Sequence, residues 1–415
     1  MPLCLGIFTP MKIAIIGGGA AGFMAAITAK ETRPDADVYI MEQAHKVLAK
    51  VAVTGGGRCN VTNSFRQISD LRQAYPRGHR LMKRLFSQFD YRETYRWFES
   101  HGVPLTTQTD DCVFPVSQDA QSIVGCLVNE AQRRLGAKVL TGYRVERIVR
   151  TNEGFVLHVA GHDPMSFDRV AVTTGGMPHR ENFLALDDLG HTTERPIPAL
   201  FTFSIADAAL TSLMGTVVNE AVVSIPKTKL RAEGPLLITH WGMSGPAILK
   251  LSSHAARYLH EHEYVVPLSV AWAGHTNTMQ VAEMLTEMSM QNSRKQVVST
   301  RPFGLPTRLW QYLLGKVGLP EERRWAETGQ RTVNRLAEIL TNDSYLIEGK
   351  GSYREEFVTC GGVRLNEVDG NTLESRQVPH LYFAGEVLDI DAITGGFNLQ
   401  AAWTTGTVVG RHIVE

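Results

Sequence analysis

Apolar residues change their period several times along this chain, and each change marks an element. Residues 12–16 form a short continuous apolar run, which predicts a buried strand, and 20–31 place Phe23, Ala26 and Ile27 at helical spacing. A second apolar run at 38–41 completes a βαβ start. Beyond a loop at 54–63, residues 80–100 alternate basic and apolar side chains at helical period until Gly102 and Pro104 stop them. Ser117 is placed to cap a helix running to Leu135, with Gly136 as its end. Strands are predicted at 139–150, 155–160 and 169–173, separated by Asn152, Gly154 and Gly161. This order predicts a doubly wound nucleotide-binding domain with a small antiparallel excursion.

From about residue 196 to 272 the pattern turns to short β-like runs with Pro and Gly breaks, such as 200–205 and 217–225. Helical patterns follow at 278–290, 308–317 and 321–340, and strand-like runs return near 345–359. An apolar run at 381–384 and a final helix at 398–412, rich in Ala, Thr and Val, close the chain. The expected plan is a cofactor domain made of 1–192 and 357–415. It is interrupted by a β-rich insert at 193–273, a helical insert at 274–341 and a return strand of the β-rich insert at 342–356.

A length of 415 residues suits two or three packed units rather than one core. Lys and Arg total 42, as do Asp and Glu, so the formal net charge is zero, which argues against a strongly basic nucleic-acid surface. No stretch has the length of a membrane-spanning helix, and residues 1–10 have no basic region ahead of their apolar character. The chain reads as a cytoplasmic protein with no membrane partner, and nothing in it specifies an oligomer. The five cysteines, Cys4, Cys59, Cys112, Cys126 and Cys360, form no Cys-x-x-Cys and no metal-type pairing with His. They are expected to be reduced thiols, with no metal site and no paired-cysteine redox centre.

Three motifs carry the chemistry. In Gly17-Gly18-Gly19-Ala20-Ala21-Gly22, Gly17 suits a tight turn, Gly19 close approach to a pyrophosphate, and Gly22 packing of helix on strand. Glu42, at the end of the next strand, is placed to accept hydrogen bonds from an adenosine ribose. Gln43 beside it and Val145 on a later strand complete that part of the candidate set. Thr54-Gly55-Gly56-Gly57-Arg58-Cys59-Asn60 is a rarer run, whose exposed N–H groups and permanent cation can lie against an anionic or electron-accepting ring. An Arg-anchored turn is the other reading of Arg58, and Cys59 is either a buried structural thiol or a redox group, the first being commoner. Lys50, just ahead, is either a contact to flavin N5 or a substrate carbonyl, or a solvated lysine.

The third motif joins Gly385 and Glu386, after a strand end, to Gly395-Gly396-Phe397-Asn398-Leu399, at a helix start. Glu386 suits ribityl hydroxyls, and the helix would direct its positive end at N1 and the C2 carbonyl of a flavin. Asp389 and Asp391 lie in the intervening loop, where a solvated acid is the expected state of Asp391. Thr174-Gly175-Gly176 suits a backbone turn against the cofactor. In the β-rich insert, His240 and Trp241 precede a helix start at Pro246, with His240 read as hydrogen-bonded packing, the favoured reading, or as a general acid or substrate contact. The two glycine motifs at opposite ends of the chain imply one split site, and FAD is the ligand that suits both.

The runs 13–22 and 54–63, Thr239-His240-Trp241-Gly242-Met243-Ser244-Gly245-Pro246, Gly361-Gly362-Val363 and 383–400 resemble the BaiN/YhiN-type family of FAD-binding flavoproteins, over nearly the whole chain. The resemblance implies an FAD domain of the glutathione-reductase type (Rossmann-like α/β), interrupted by a β-barrel-like domain and a small helical domain. It also implies an NAD(P)/FAD-dependent oxidoreductase, with substrates in the family ranging from small amines to steroid enones to a uracil base of ribosomal RNA. Two departures stand out: Met177-Pro178-His179-Arg180-Glu181-Asn182 replaces a Ser/Pro/Thr/Gly-rich loop, and Ala392 stands where glycine is usual.

The first functional expectation is a reductase that passes hydride from transiently bound NAD(P)H through flavin N5 to an electron-poor double bond of a small molecule. No second Gly-x-Gly-x-x-Gly follows a strand, so no dedicated nicotinamide domain is expected. A flavin oxidase of a small amine, releasing peroxide, is one alternative. A ribosomal-RNA-associated flavoprotein is another, using Arg77, His79, Arg80, Lys83 and Arg84 or the Arg294, Lys295, Arg301 and Arg308 region against phosphate.

Overall fold

The computed structural model describes residues 10–176, 184, 186–351 and 358–415. Cys4, the 177–182 replacement and the last part of the expected return strand lie outside the described residues. Contacts divide the chain into two compact units, one running to Ile197 and resuming at Val358–Glu415, the other being Pro198–Phe357.

The first unit is a Rossmann-like α/β fold built on a five-stranded parallel sheet. Its order is Leu381–Phe383, Arg169–Val172, Lys12–Ile16, Asp37–Glu42, Lys138–Thr141. The central strands are covered on both faces, which is why the run 13–16 is apolar without alternation; Ile13, Ala14 and Ile15 are fully buried, whereas the edge strand Lys138–Thr141 is exposed at both ends. Strand order reverses at Lys12–Ile16, so a crevice opens beyond the carboxyl ends of that strand and Arg169–Val172. All the cofactor motifs that follow strands emerge there.

The two ends of the chain meet through small residues. Helix Ala20–Thr32, buried from Ala21 to Ala29, packs on helix Phe397–His412. A Cβ added at Gly406 or Gly410, one turn apart, would lie 2.5 Å from Ala21 O or 2.6 Å from Ala25 O. Only glycine lets these backbones come so near.

Several sequence expectations in this unit are corrected. The single helix at 80–100 is two, His79–Leu85 and Tyr91–Ser100. Asp90 caps the second through Arg92 N (2.8 Å) and Glu93 N (3.1 Å), while Glu93 reaches back to Asp90 N (2.6 Å). That local capping box outcompetes a continuous helical period. Ser117 is not a helix cap; its Oγ bonds Ser122 Oγ at 2.6 Å, and the helix is Gln121–Val128 followed by a π-helical turn, Asn129–Arg134. The single strand at 139–150 is broken at Gly142 (φ 75°). Its first half joins the parallel sheet, and Val145–Thr151 pairs instead with Gly154–Val159, itself paired with Met165–Phe167.

The second unit centres on a seven-stranded antiparallel sheet, in the order Asp343–Ile347, Val266–Ala271, Val217–Ser224, Arg231–Thr239, Gly242–Ser244, Phe203–Ser204, Gly349–Lys350. Both edge strands belong to one continuous segment, 343–350. The strand expected at 200–205 is only Phe203–Ser204. Pro246 occupies the first turn of helix Pro246–His254. Helices Thr278–Gln291, Thr307–Lys316 and Gln330–Asn342 follow. The helix expected at 321–340 starts only at Gln330, because Trp325–Glu327 is a separate 3-10 turn with Trp325 fully buried. Among the described residues, no helix is long and apolar enough to cross a membrane.

Candidate cofactor site

The first glycine loop turns at the end of strand Lys12–Ile16. Gly17 has φ 114°, and its N–H donates to Met41 O at 2.8 Å. A Cβ at Gly22 would sit 2.0 Å from Gly17 O and 2.7 Å from Thr173 Oγ1, so helix and turn are in backbone contact. A Cβ at Gly19, by contrast, would meet nothing within 4 Å. Gly19 is the N-cap of helix Ala20–Thr32, and no side chain caps that helix. The outcome is an open, positively polarised helix start, a ready place for an anion.

Glu42 staples this loop to the second strand. Its Oε2 accepts from Gly18 N–H and its Oε1 from Ala44 N–H, each at 2.8 Å, leaving further lone pairs on both oxygens. Gln43 beside it is exposed, whereas Val145 is buried and pairs with Val159.

Residues 54–63 and 395–400 interlock, though more than 330 positions separate them. Asn63 Nδ2 donates to Gly395 O (3.1 Å), Thr62 Oγ1 to Gln400 Oε1 (2.6 Å), and Trp403 Nε1 to Val61 O (2.9 Å). With its amide nitrogen turned to Thr62 O (2.9 Å), Asn60 accepts from Gly396 N–H at 3.2 Å. The helix Phe397–His412 begins here without a side-chain cap. Gly55, Gly56 and Gly57 all have positive φ, and a Cβ at Gly56 or Gly57 would meet no neighbour within 4 Å. Gly56 and Gly57 thus present backbone to open space beside a second uncapped helix, whereas Gly55 lies against Phe114, 2.8 Å from where its Cβ would be.

Glu386 connects the remaining candidates. Its Oε1 accepts from Thr359 N–H (2.7 Å), and its Oε2 from Gly176 N–H (3.1 Å) and Lys50 Nζ (3.2 Å). Lys50 follows Leu48, whose N–H donates to Gly18 O at 2.8 Å, and a Cβ on Gly385 would lie 2.9 Å from Ala21 Cβ. These contacts join the 17–22 loop, Lys50, the Thr174-Gly175-Gly176 turn and Gly385-Glu386 into one neighbourhood. Gly385 N–H is in turn held by Thr405 Oγ1 at 2.8 Å.

Other candidates have different surroundings from those expected. Asp391 is not a solvated loop acid: it is buried and gripped by the Arg77 guanidinium through Nε and Nη2. Burial pushes its carboxyl up, and Arg77 opposes that rise. Arg77 therefore does not belong to an exposed basic cluster, although Arg80, Lys83 and Arg84 are exposed. Arg58 folds back on its own loop, donating to Gly55 O (3.1 Å) and Gln118 Oε1 (3.4 Å), with its guanidinium carbon 4.3 Å from the centre of the Phe114 ring. Cys59 is fully buried at φ 62°, and burial pushes its thiol up to about 12 despite a hydrogen bond from Thr54. It is a protonated, unreactive thiol.

The Phe397 ring is buried, edge-on to Phe65 (5.0 Å) and Tyr75 (6.2 Å), and it packs beneath Gly395, where an added Cβ would lie 2.9 Å from its Cε2. Asn398 closes loop 392–398 through Ala392 N and O, at 2.9 and 3.0 Å, and Leu399 is half-buried. His240 belongs to the second unit, where it is exposed with its ring edge-on to Trp241 at 4.4 Å. Thr359, Thr405 and the Arg77–Asp391 pair were not among the sequence candidates. Gln400, Thr404 and Thr405, buried polar residues in the final helix, were the available signal for part of this network.

The residues fit FAD. Two uncapped helix starts, unfilled space at Gly19, Gly56 and Gly57, and carboxylates at Glu42 and Glu386 supply pyrophosphate, ring and ribose-type partners in one connected region.

The HI0933-like protein Rossmann domain matches residues 11–412. The chain is 30% identical over 416 residues to the 3-dehydro-bile acid delta(4,6)-reductase of Clostridium scindens, covering 97% of this chain and 99% of that one. It is 28% identical over 415 residues to the ribosomal RNA dihydrouridine synthase of Escherichia coli, covering 96% and 97%. The corresponding protein of Haemophilus influenzae is 28% identical over 416 residues, covering 94% and 95%.

Proposed function

We propose, for a chain that belongs to the HI0933-like protein Rossmann domain family and is an FAD-dependent oxidoreductase, that it works as a reductase of an electron-poor double bond in a small molecule. The observation that carries the cofactor part of this reading is the hydrogen-bonded clasp of residues 54–63 on 395–400, joined through Glu386 and Lys50 to the first glycine loop, and the likeness to a delta(4,6)-reductase supports the reductase part. FAD bound here would supply the two-electron hydride chemistry that links a reduced nicotinamide donor to the double bond.

The chain's own residues do the rest. N–H groups at the start of helix Ala20–Thr32 bind the pyrophosphate, with Gly19 leaving room for it. Glu42 holds the ribose while keeping its two loop bonds. The start of helix Phe397–His412 lends positive potential where negative charge develops on reduction. Among the catalytic candidates, Lys50 has the strongest support: its exposed ammonium, held at Glu386, can present a proton to a carbonyl or carbon of the substrate. Arg58 positions the triple-glycine loop, while the remaining candidate, His240, lies exposed beside Trp241 in the second unit.

The same proposal covers the finer architecture: residues 1–192 and 357–415 as cofactor domain, 193–273 with return strand 342–356 as a β-barrel-like insert, and 274–341 as a helical insert. One segment supplying both edges of the seven-stranded sheet supports a sheet curled toward closure.

Purified protein should be yellow, and anaerobic NADH or NADPH should bleach it. A flavin that neither coenzyme reduces would overturn the reductase reading, and amine-driven bleaching with peroxide release would replace it. A second reading, action on ribosomal RNA, is favoured by the names of two relatives and by exposed Arg80, Lys83 and Arg84. RNA retention that weakens steeply with salt would support it, and no retention at low salt would remove it.

A further inference from the structure

Arg77 and Asp391 stand 314 positions apart, yet they form a two-pronged ion pair whose side chains are 12% and 0% exposed. Their backbones also form an antiparallel bridge. Around them the short segment 74–78 grips the whole glycine loop of the C-terminal motif. Ile393 N–H donates to Ala74 O (2.9 Å), Tyr75 OH to Phe397 O (2.9 Å), and a Cβ on Gly78 would lie 2.6 Å from Ile390 Cγ1. That loop starts just after Glu386 and ends at the uncapped helix start.

Removing two charges from water costs several kcal/mol per ion before their attraction returns any of it, so a buried pair is a poor device for stability alone. It is a good device for register, because a guanidinium fork accepts a carboxylate in few geometries. We propose that Arg77 is a positioning residue of the cofactor site, acting through Asp391 to hold loop 390–396, and with it the start of helix Phe397–His412, in the register that FAD requires. This rests on the FAD reading given above. Arg77 touches neither cofactor nor substrate in this role; it acts through the loop.

The charged groups that face the pair are Asp389 and Glu386, toward Asp391, and Asp389 with the Cys360 thiol, toward Arg77. In an Arg77→Gln protein, burial and both acids would all favour a neutral Asp391. Its carboxyl would then be accommodated at low pH and would charge, unpaired, as pH rises. FAD affinity of that variant should therefore fall with rising pH, a dependence absent from the parent protein.

The test compares the parent protein with R77Q, R77K and the double variant R77Q/D391N. FAD dissociation is followed by flavin fluorescence at mildly acidic and mildly alkaline pH, and folding by circular dichroism. R77Q should weaken FAD binding at least about tenfold, R77K less, and the double variant, where two amides replace two charges, should return to within about threefold of the parent. Unchanged affinity in R77Q overturns the proposal, and so does a double variant as weak as R77Q, since Arg77 would then act without Asp391. Unfolding of all three variants also overturns it, by marking the pair as purely structural. A parent protein that takes up no FAD defeats the cofactor reading itself, whereas an FAD-replete parent with an indifferent R77Q defeats only the positioning role.

Discussion

Gly19→Ala and Gly22→Ala add the same methyl group to one loop and should fail in opposite ways. At Gly19 the backbone is extended (φ −92°, ψ −169°) and the new Cβ meets nothing within 4 Å. The apoprotein should keep its stability within about 1 kcal/mol, the balance of a stiffer unfolded chain against a poorer N-cap. At Gly22 the Cβ would lie 2.0 Å from a carbonyl oxygen of the turn, so backbone must move. Overpacking of that kind costs about 3 kcal/mol or more, which lowers the melting temperature of the first unit by roughly 6–12 °C.

Binding behaves differently from folding. In the proposed FAD site, the methyl at Gly19 would occupy the space through which a pyrophosphate reaches the helix N–H groups. At a ligand concentration of about 100 times Kd, FAD contributes about 2.7 kcal/mol to the parent, or roughly 5–11 °C, and Gly19→Ala should lose most of that shift. Thermal melts of apoprotein with and without FAD, together with the retained flavin absorbance, measure both quantities. A Gly19→Ala protein that holds FAD with parental affinity would refute the placement of the pyrophosphate. One as unstable without ligand as Gly22→Ala would refute the open space.

Glu42→Gln replaces one loop acceptor by a donor that faces a backbone N–H, so the loop should lose about 1–3 kcal/mol and FAD should dissociate faster; unchanged dissociation would free Glu42 of any cofactor role. Cys59 should resist alkylation in the native state near neutral pH and react only after unfolding. Burial pushes its folded thiol up to about 12, from 9.0 for an ordinary thiol, so it favours folding fully below about pH 9. That contribution is lost as pH rises toward 12, by up to about 4 kcal/mol at about 1.4 kcal/mol per pH unit. Urea melts across that range should show a steeper alkaline loss in the parent than in Cys59→Ala; equal slopes would remove the effect.

Local pattern made the central strands of the parallel sheet legible, since strands buried on both faces must be continuously apolar, and the turns after Lys12–Ile16, Arg169–Val172 and Leu381–Phe383 carried glycines. It failed where a short-range competitor interrupted a longer period. The Asp90–Glu93 capping box divided one helical run, Gly142 divided one strand, and Trp325 delayed the helix at Gln330. The family and the FAD cofactor were likewise readable, because glycine loops and their spacing are written in adjacent residues.

What adjacency cannot encode is which distant groups become partners. Asp391 looked like a loop acid because nothing near it in the chain is its counter-charge; Arg77 comes from 314 positions away. Glu386 looked free for a ligand, yet Lys50, Gly176 and Thr359 converge on it from three separate segments. Residue order decided the elements and the loops able to receive FAD. Only the folded chain decided the charge pairing around them, because a buried charge must find its partner in space, wherever along the sequence that partner lies.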